Sequence, residues 1–149
     1  MLPLAEDDPF AAILAATGLP SRTVPIDGRA RANVTIADPE GVTTKLNLAG
    51  AALDDSSRAA VIDAIVEASA GAQWLVLAGS LPPGAGDEFY VDVIRAVREQ
   101  YGVNAPRIAA DTSGAALTAV VESGHPDLIK PNDEELADLA GVELDPNAD

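Results

Sequence analysis

The chain has 149 residues, of which 48% are hydrophobic, 22% charged and 3% aromatic, and nine basic against twenty-four acidic side chains leave a formal charge of −15. That length suits one ordinary domain with a real core, and the apolar share is too high for a disordered chain. A surface of this sign repels polyanions and no Lys/Arg cluster offsets it, so nucleic-acid binding is not expected.

The absence of cysteine excludes disulfides and thiolate catalysis. No apolar run approaches the ~20 residues that span a bilayer, so no membrane association is expected. The opening MLPLAEDDPF turns acidic and lacks a basic region, which is not the pattern of a signal peptide. A cytoplasmic location is the expectation.

In chain order, Pro9 to Ala16 reads as a short helix ended by Gly18, within an entry segment of residues 1–21. Residues 22–50 read as strands of a small antiparallel sheet. Asp38-Pro39-Glu40-Gly41 is a turn between the β-branched flanks Asn33 to Ile36 and Val42 to Asn47. From residue 51 the pattern becomes helix–strand–helix–strand–helix. Val61, Ile62, Ile65, Val66 and Ser69 mark one helical face behind a cap near Ser56 and Ser57.

Trp74 to Ala78 is a continuous apolar run, as expected of a strand covered on both faces. A helix from near Asp87 carries Phe89, Tyr90, Val93, Ile94, Val97 and Tyr101 at helical spacing and stops at Gly102. Arg107 to Asp111 reads as a strand, Ala115 to Glu122 as a helix and Asp127 to Lys130 as a strand. Asn132 opens a last helix that Gly141 closes. Strands alternating with amphipathic helices imply right-handed crossovers and a parallel sheet, whose ligand crevice lies beyond the carboxyl ends of the strands.

Three segments sit at that edge. Gly79-Ser80-Leu81-Pro82-Pro83-Gly84 has the glycine spacing of a phosphate loop, but Ala85-Gly86 replaces the Lys-Ser/Thr pair, which excludes a Walker-type loop. It is a plain turn, or a loop whose glycine lets a ligand approach. Asp111-Thr112-Ser113-Gly114 offers a carboxylate and two hydroxyls, or a helix cap by Thr112 or Ser113. Lys130-Pro131-Asn132-Asp133-Glu134-Glu135 offers a capping pair of Asn132 with Glu135, or a cation and polar atoms suited to a nucleotide phosphate with Mg2+.

Lys45 and Lys130 are the only lysines, which makes both candidates for phosphate binding. Arg31 and Asn33 share one side of a strand, where a guanidinium suits bidentate capture of a phosphate or is simply solvated. His125, the single histidine, lies in a Gly-His-Pro turn and reads as structural. The seven carboxylates of residues 132–149 read as a solvated acidic face.

Taken together, R-A-N at 31–33, T-K-L-N-L-A-G at 44–50, L-A-G-S-L-P-P-G at 77–84, D-T-S-G at 111–114 and D-L-I-K-P-N-D-E-E-L at 127–136 resemble the ribokinase-type sugar kinase family. The hexose-phosphate branch of 1-phosphofructokinases is the nearest match, with tagatose-6-phosphate kinases beside it. The resemblance implies an α/β, ribokinase-like fold with a small antiparallel β lid at 22–50 and the central part of the kinase domain at 51–149. It implies transfer of the γ-phosphoryl of ATP, with Mg2+, to fructose 1-phosphate or tagatose 6-phosphate.

By that resemblance Arg31, Asn33, Lys45, Asn47, Gly79 and Ser80 bind the sugar phosphate. Asp111 supports the site, Lys130 meets the nucleotide phosphates, and Asn132 and Glu135 hold Mg2+ through water. The family's G-G-K-G-x-N and G-A-G-D elements are not found here, and the second carries the general-base aspartate. The expectation is therefore an incomplete domain, resembling the middle of such an enzyme and inactive alone; a homodimer belongs to the full-length enzyme. A non-catalytic module that binds sugar phosphate or nucleotide is the reading of a different class.

Overall fold

The computed structural model describes residues 2–143. The chain divides into two units, one of Met1–Ala64 with Pro82–Ala85 and one of Ile65–Leu81 with Gly86–Asp149. The first begins with β1 (Leu2–Leu4), α1 (Pro9–Ala16) and β2 (Thr23–Pro25). β1 pairs with β2 in parallel, with Leu2 opposite Thr23, so a helical crossover joins them. α1 is as expected, but the expectation that all of 22–50 belongs to the antiparallel sheet is corrected: β2 pairs in parallel with β1, a strand whose three residues are too few to show a period.

Asp8 caps α1, its side chain accepting from the Phe10 amide at 2.8 Å, and Pro9 occupies the first helical position. Its second carboxylate oxygen accepts from the Ala30 amide at 2.6 Å. These amides, Ala30 first, hold the buried Asp8 carboxyl below its usual 3.8. The folded chain thus resists protonation more than the unfolded chain. This contribution to stability is full above the unfolded value and is lost as pH falls through the lowered folded value. Asp8→Asn is expected to weaken the chain at neutral pH and to flatten the loss of stability below about pH 3.8, followed by circular dichroism in urea at stepped pH. Equal acid dependence in variant and parent would contradict this account.

β3 (Asn33–Ala37) and β4 (Thr43–Asn47) form the expected antiparallel hairpin, with Asn33 opposite Asn47, Val34 opposite Leu46 and Thr35 opposite Lys45. Its turn is held by Asp38, whose side chain accepts from the Glu40 and Val42 amides at 3.0 and 2.8 Å. Every residue of both strands is exposed, so neither face is covered. The pairing extends past the strands through Leu48 to Ala32 and Ala51 to Arg29 backbone bonds, both 2.9 Å.

α2 (Asp55–Ala68) follows. Its cap is Asp54 rather than the expected Ser56 or Ser57: the carboxylate accepts from the Ser57 amide at 2.7 Å and the Ser56 hydroxyl at 2.9 Å. Aspartate is an acceptor only, and it stands one residue ahead of the helix where the free amides point.

The second unit holds a three-stranded parallel sheet in the order β5 (Trp74–Ala78), β6 (Arg107–Asp111), β7 (Leu128–Ile129). α3 (Phe89–Tyr101) and α4 (Gly114–Ala119) make the crossovers. The core of this unit comes from Val91, Val93, Ile94 and Val97 of α3, Leu117 and Val120, and Leu77, Ile108 and Ala110 of the strands. The expectation that β5 is covered on both faces is corrected: Leu77 is buried, but Trp74, Val76 and Ala78 are exposed. Continuous apolarity cannot distinguish a two-sided strand from one whose second face stands open.

The helix expected to run to Glu122 leaves α geometry after Ala119 and closes as a π-helical turn over Val120–Gly124, with His125 left-handed at φ 48°. The Arg98 guanidinium donates to the Gly124 and His125 carbonyls at 2.8 and 2.7 Å, so His125 serves the turn through its backbone. β7 is shorter than the expected Asp127 to Lys130. Asp127 instead clips it to β6, its carboxylate accepting from the Ile108 amide and its amide donating to the Ile108 carbonyl, both at 2.8 Å. α5 (Asp133–Ala140) ends the described chain, with Gly141 left-handed after it. Among the described residues no helix is long and apolar enough to cross a membrane.

Candidate functional site

Parallel pairing in register brings Ala78 beside Asp111, so β5 and β6 end at the same level. The Gly79 amide donates to the Asp111 carbonyl at 2.9 Å, and the Lys130 amide donates to the Ala110 carbonyl at 3.1 Å. Gly79-Ser80, Asp111 and Lys130 are therefore gathered at one sheet edge, as the crevice rule requires. Lys130 Nζ lies 3.1 Å from Asp111 Oδ1, and both side chains are substantially open to solvent. Such an exposed pair is worth about 0–1 kcal/mol, so an incoming phosphate can draw the ammonium away at little cost.

Gly79 has φ +98°, a conformation costly for any residue with a Cβ, and a Cβ built there would meet nothing within 4 Å. Its carbonyl accepts from the Tyr90 hydroxyl at 3.1 Å and the Thr112 hydroxyl at 3.2 Å, and Tyr90 also donates to the Ala78 carbonyl at 3.1 Å. Tyr90 and Thr112 are buried, and burial pushes the Tyr90 hydroxyl above its usual titration range. Two buried hydroxyls thus hold the peptide that precedes Ser80. The capping role foreseen for Thr112 is not what it does; Ser113 stands at the α4 N-cap without a side-chain hydrogen bond.

Asn132 and Glu135 form a full capping box. Asn132 Oδ1 accepts from the Glu135 amide and Glu135 Oε2 accepts from the Asn132 amide, each at 2.8 Å. One oxygen of each side chain is so committed, and among the described residues no cluster of three metal-ligating side chains exists. This donor set does not cage a bare ion. It fits Mg2+ that keeps its waters and takes its direct ligands from substrate phosphates, the usual manner for that ion.

In the first unit the hairpin register places Asn33, Thr35, Lys45 and Asn47 on one polar face. The opposite face carries Val34, Ile36 and Leu46. Arg31 Nε donates to Asn33 Oδ1 at 3.3 Å, which joins the arginine to that polar group. Gly50 explains the end of the T-K-L-N-L-A-G motif: a Cβ there would stand 3.2 Å from Arg31 Cβ and 3.3 Å from its amide nitrogen. The other motif glycine of this unit, Gly84, has φ +81°, and its added Cβ would collide with the Leu53 carbonyl oxygen.

Sequence reasoning missed Asp8, which fixes residue 30 next to Arg31, together with the Gly79-holding roles of Tyr90 and Thr112. The Asp8-Pro9 pair carried a signal, being a cap followed by proline. Tyr90 carried none, since its spacing on α3 reads only as core.

These features meet a match in known proteins. A family model for pfkB family carbohydrate kinases matches residues 6–149. A 1-phosphofructokinase of Rhodobacter capsulatus is 39% identical over 137 residues, covering 91% of this chain and 42% of that protein. The ATP-dependent 6-phosphofructokinase isozyme 2 of Escherichia coli is 33% identical over 141 residues, covering 94% of this chain and 44% of its own. The crystal structure of Escherichia coli phosphofructokinase-2 in complex with fructose-6-phosphate matches with a TM-score of 0.78 at 32% identity, over 92% of this chain and 44% of that one. The chain thus spans less than half the length of these relatives, and its α/β architecture is the ribokinase-like one. The parallel sheet, the antiparallel hairpin, the motif order and the family match agree: this chain belongs to the pfkB family of carbohydrate kinases.

Proposed function

We propose that this chain carries the binding groups of an ATP-dependent sugar-phosphate kinase acting on fructose 1-phosphate. The observation that supports this most is the gathering of Gly79-Ser80, Asp111 and Lys130 at the carboxyl edge of the parallel sheet. On this reading Lys130 leaves Asp111 to neutralise nucleotide phosphate oxygens, and Asp111 returns it when product departs. Gly79 and Ser80 line the sugar side, held by Tyr90 and Thr112. Arg31 grips the acceptor's phosphate through its planar fork, steadied by Asn33, with Lys45 and Asn47 on the same hairpin face.

Asn132 and Glu135 would hold the water shell of a Mg2+ bound with ATP, an ion that would supply charge shielding between the phosphates. Phosphoryl transfer depends chiefly on such positioning and charge neutralisation. The remaining requirement is a base for the acceptor hydroxyl. Asp111 serves the site as the support of Lys130, and the G-A-G-D element that carries the family's base is not found in these 149 residues, which are therefore expected to bind without turnover.

The 39% identity to a 1-phosphofructokinase favours fructose 1-phosphate as acceptor. Fructose 6-phosphate is the second reading, supported by the 33% identity to a 6-phosphofructokinase, and tagatose 6-phosphate is a third acceptor to compare. A homodimer of the whole enzyme, joined at the apolar hairpin face of Val34, Ile36 and Leu46, fits the exposure of that face, and a cytoplasmic location fits a metabolic kinase.

Calorimetry on the 149-residue chain tests the proposal. Saturable binding of MgATP is expected, weakened by roughly tenfold to a hundredfold in Lys130→Met, as for loss of one charge-assisted contact. Fructose 1-phosphate is expected to bind more tightly than fructose 6-phosphate, and Arg31→Ala to remove that binding. No ATP-dependent phosphorylation above a heat-killed control is expected. Silence toward both ligands would overturn the binding assignment, and turnover would require a base within these residues.

A further inference from the structure

A glycine at a sheet edge leaves the peptide after it free to turn over. Gly79 carries no Cβ, lies at φ +98°, and has open space where a Cβ would stand. Rotation about the bonds flanking the Gly79–Ser80 peptide therefore meets little steric resistance. In a trans peptide such as this one the carbonyl and the amide point in opposite directions. One orientation offers the crevice an acceptor, the other a donor.

The structure selects the donor. The Gly79 amide is held by the Asp111 carbonyl at 2.9 Å, which anchors the N-terminal side of the residue to β6. On its other side the Gly79 carbonyl accepts from the Tyr90 hydroxyl at 3.1 Å and from the Thr112 hydroxyl at 3.2 Å. These donors come from separate places, α3 and the residue that follows β6. Both are buried, whereas Gly79 and Ser80 are exposed. The carbonyl is therefore drawn inward, and the Ser80 amide faces the exposed side of the sheet edge. Local secondary structure asks for neither hydroxyl. Thr112 stands ahead of α4 without capping it, and a phenylalanine at 90 would fill the same core space.

We propose that Tyr90 and Thr112 are positioning residues of the acceptor site, a pair of hydroxyls that locks the Gly79–Ser80 peptide with its amide turned to the crevice as a donor for the sugar phosphate. Sugar phosphates are rich in acceptor oxygens, so an amide already presented to them avoids the ordering cost that a turning peptide would add. The lock also joins the two sides of the edge. Thr112 follows Asp111, the partner of Lys130, so one short segment fixes both the cation and the amide. The inference rests on the reading of Gly79-Ser80 as part of the acceptor site.

Gly79-Ser80 is the only Gly-Ser pair in the sequence, so cell-free synthesis with 13C-carbonyl glycine and 15N-serine gives one carbonyl-to-amide NMR correlation, that of this peptide. In the parent chain a single peak is expected, with its carbonyl shift downfield as for a doubly hydrogen-bonded oxygen, and its amide is expected to move when fructose 1-phosphate is added. In the double variant Tyr90→Phe with Thr112→Val, both near-isosteric, the carbonyl shift is expected to move upfield and the peak to broaden or divide. Thr112→Ser, which keeps the donor, is expected to retain the parent's peak. By calorimetry, fructose 1-phosphate affinity is expected to fall roughly tenfold in the double variant and to be kept in Thr112→Ser. MgATP affinity is expected to change much less, a split that general loss of structure would not produce. An unmoved peak in the double variant would overturn the lock. So would a moved peak with unchanged fructose 1-phosphate affinity, or equal losses for both ligands. Absence of any response to fructose 1-phosphate in the parent would overturn the acceptor reading, and the labelled peptide in the variants would still decide the lock by itself.

Discussion

Replacing Gly84 by alanine is expected to destabilise the first unit by about 3–5 kcal/mol, one of the largest effects of any single methyl group in this chain. Two costs add. The backbone at Gly84 has φ +81°, where an L side chain is strained, and the added Cβ would collide with the Leu53 carbonyl oxygen. The obstacle is backbone, which cannot rotate aside as a side-chain end would. It is also pinned: the Leu53 amide donates to the Pro83 carbonyl at 2.8 Å, which holds the 53 and 83–84 segments together. Relief would require breaking that bond or moving the Pro-Pro exit, whose φ angles are fixed by their rings. Gly79→Ala is the control. It shares a positive φ, but its Cβ would meet nothing within 4 Å, so only the conformational cost of about 1–2 kcal/mol remains. Urea denaturation followed by far-UV circular dichroism measures both, and equal losses for the two variants would contradict this account.

Ile108→Ala is expected to cost about 2–5 kcal/mol, whereas Val76→Ala on the adjacent strand is expected to cost less than ~1 kcal/mol. Ile108 is wholly buried in β6, the middle strand, and its removal leaves a cavity among side chains that lie in a packed core. The backbone around it is held by both Asp127 hydrogen bonds, which hinder collapse into the space. Val76 points to the open face, so truncating it removes little from a packed environment. The same urea experiment, read by Trp74 fluorescence, compares them within one unit. Equal costs would mean that Val76 is covered in solution, against its exposure here.

That pair of residues also shows where sequence reading stops. Helix limits at Pro9–Ala16, Phe89–Tyr101 and Asp133–Ala140 were legible because their signals are local. The first and last depend on a cap, an apolar period and a terminating glycine within a few residues of one another, whereas α3, which has no side-chain cap and starts after the expected Asp87, was legible from its apolar period and Gly102. The Asn132–Glu135 box is a clear instance, since three-residue spacing alone brings side chain and amide together. The hairpin was legible for the same reason, its turn being local, but the register that puts Asn33, Lys45 and Asn47 on one face came only with the structure. Two short features were not: β1, which exists only by pairing with β2, and the Asp54 cap, hidden behind the serines that follow it.

By itself, then, the sequence determined the element order after β2, the parallel character of the three-stranded sheet and the residues placed at its carboxyl edge, because periodicity, caps and right-handed crossovers act over short distances. Only the tertiary structure decided that Lys130 pairs with Asp111, that Tyr90 and Thr112 hold the Gly79 carbonyl, that Gly84 fits under Leu53, and that one face of the sheet stands open. These depend on which segments, tens of residues apart, meet in space. No local pattern encodes that meeting, since the exposed Val76 and the buried Leu77 are neighbours in one unbroken apolar run.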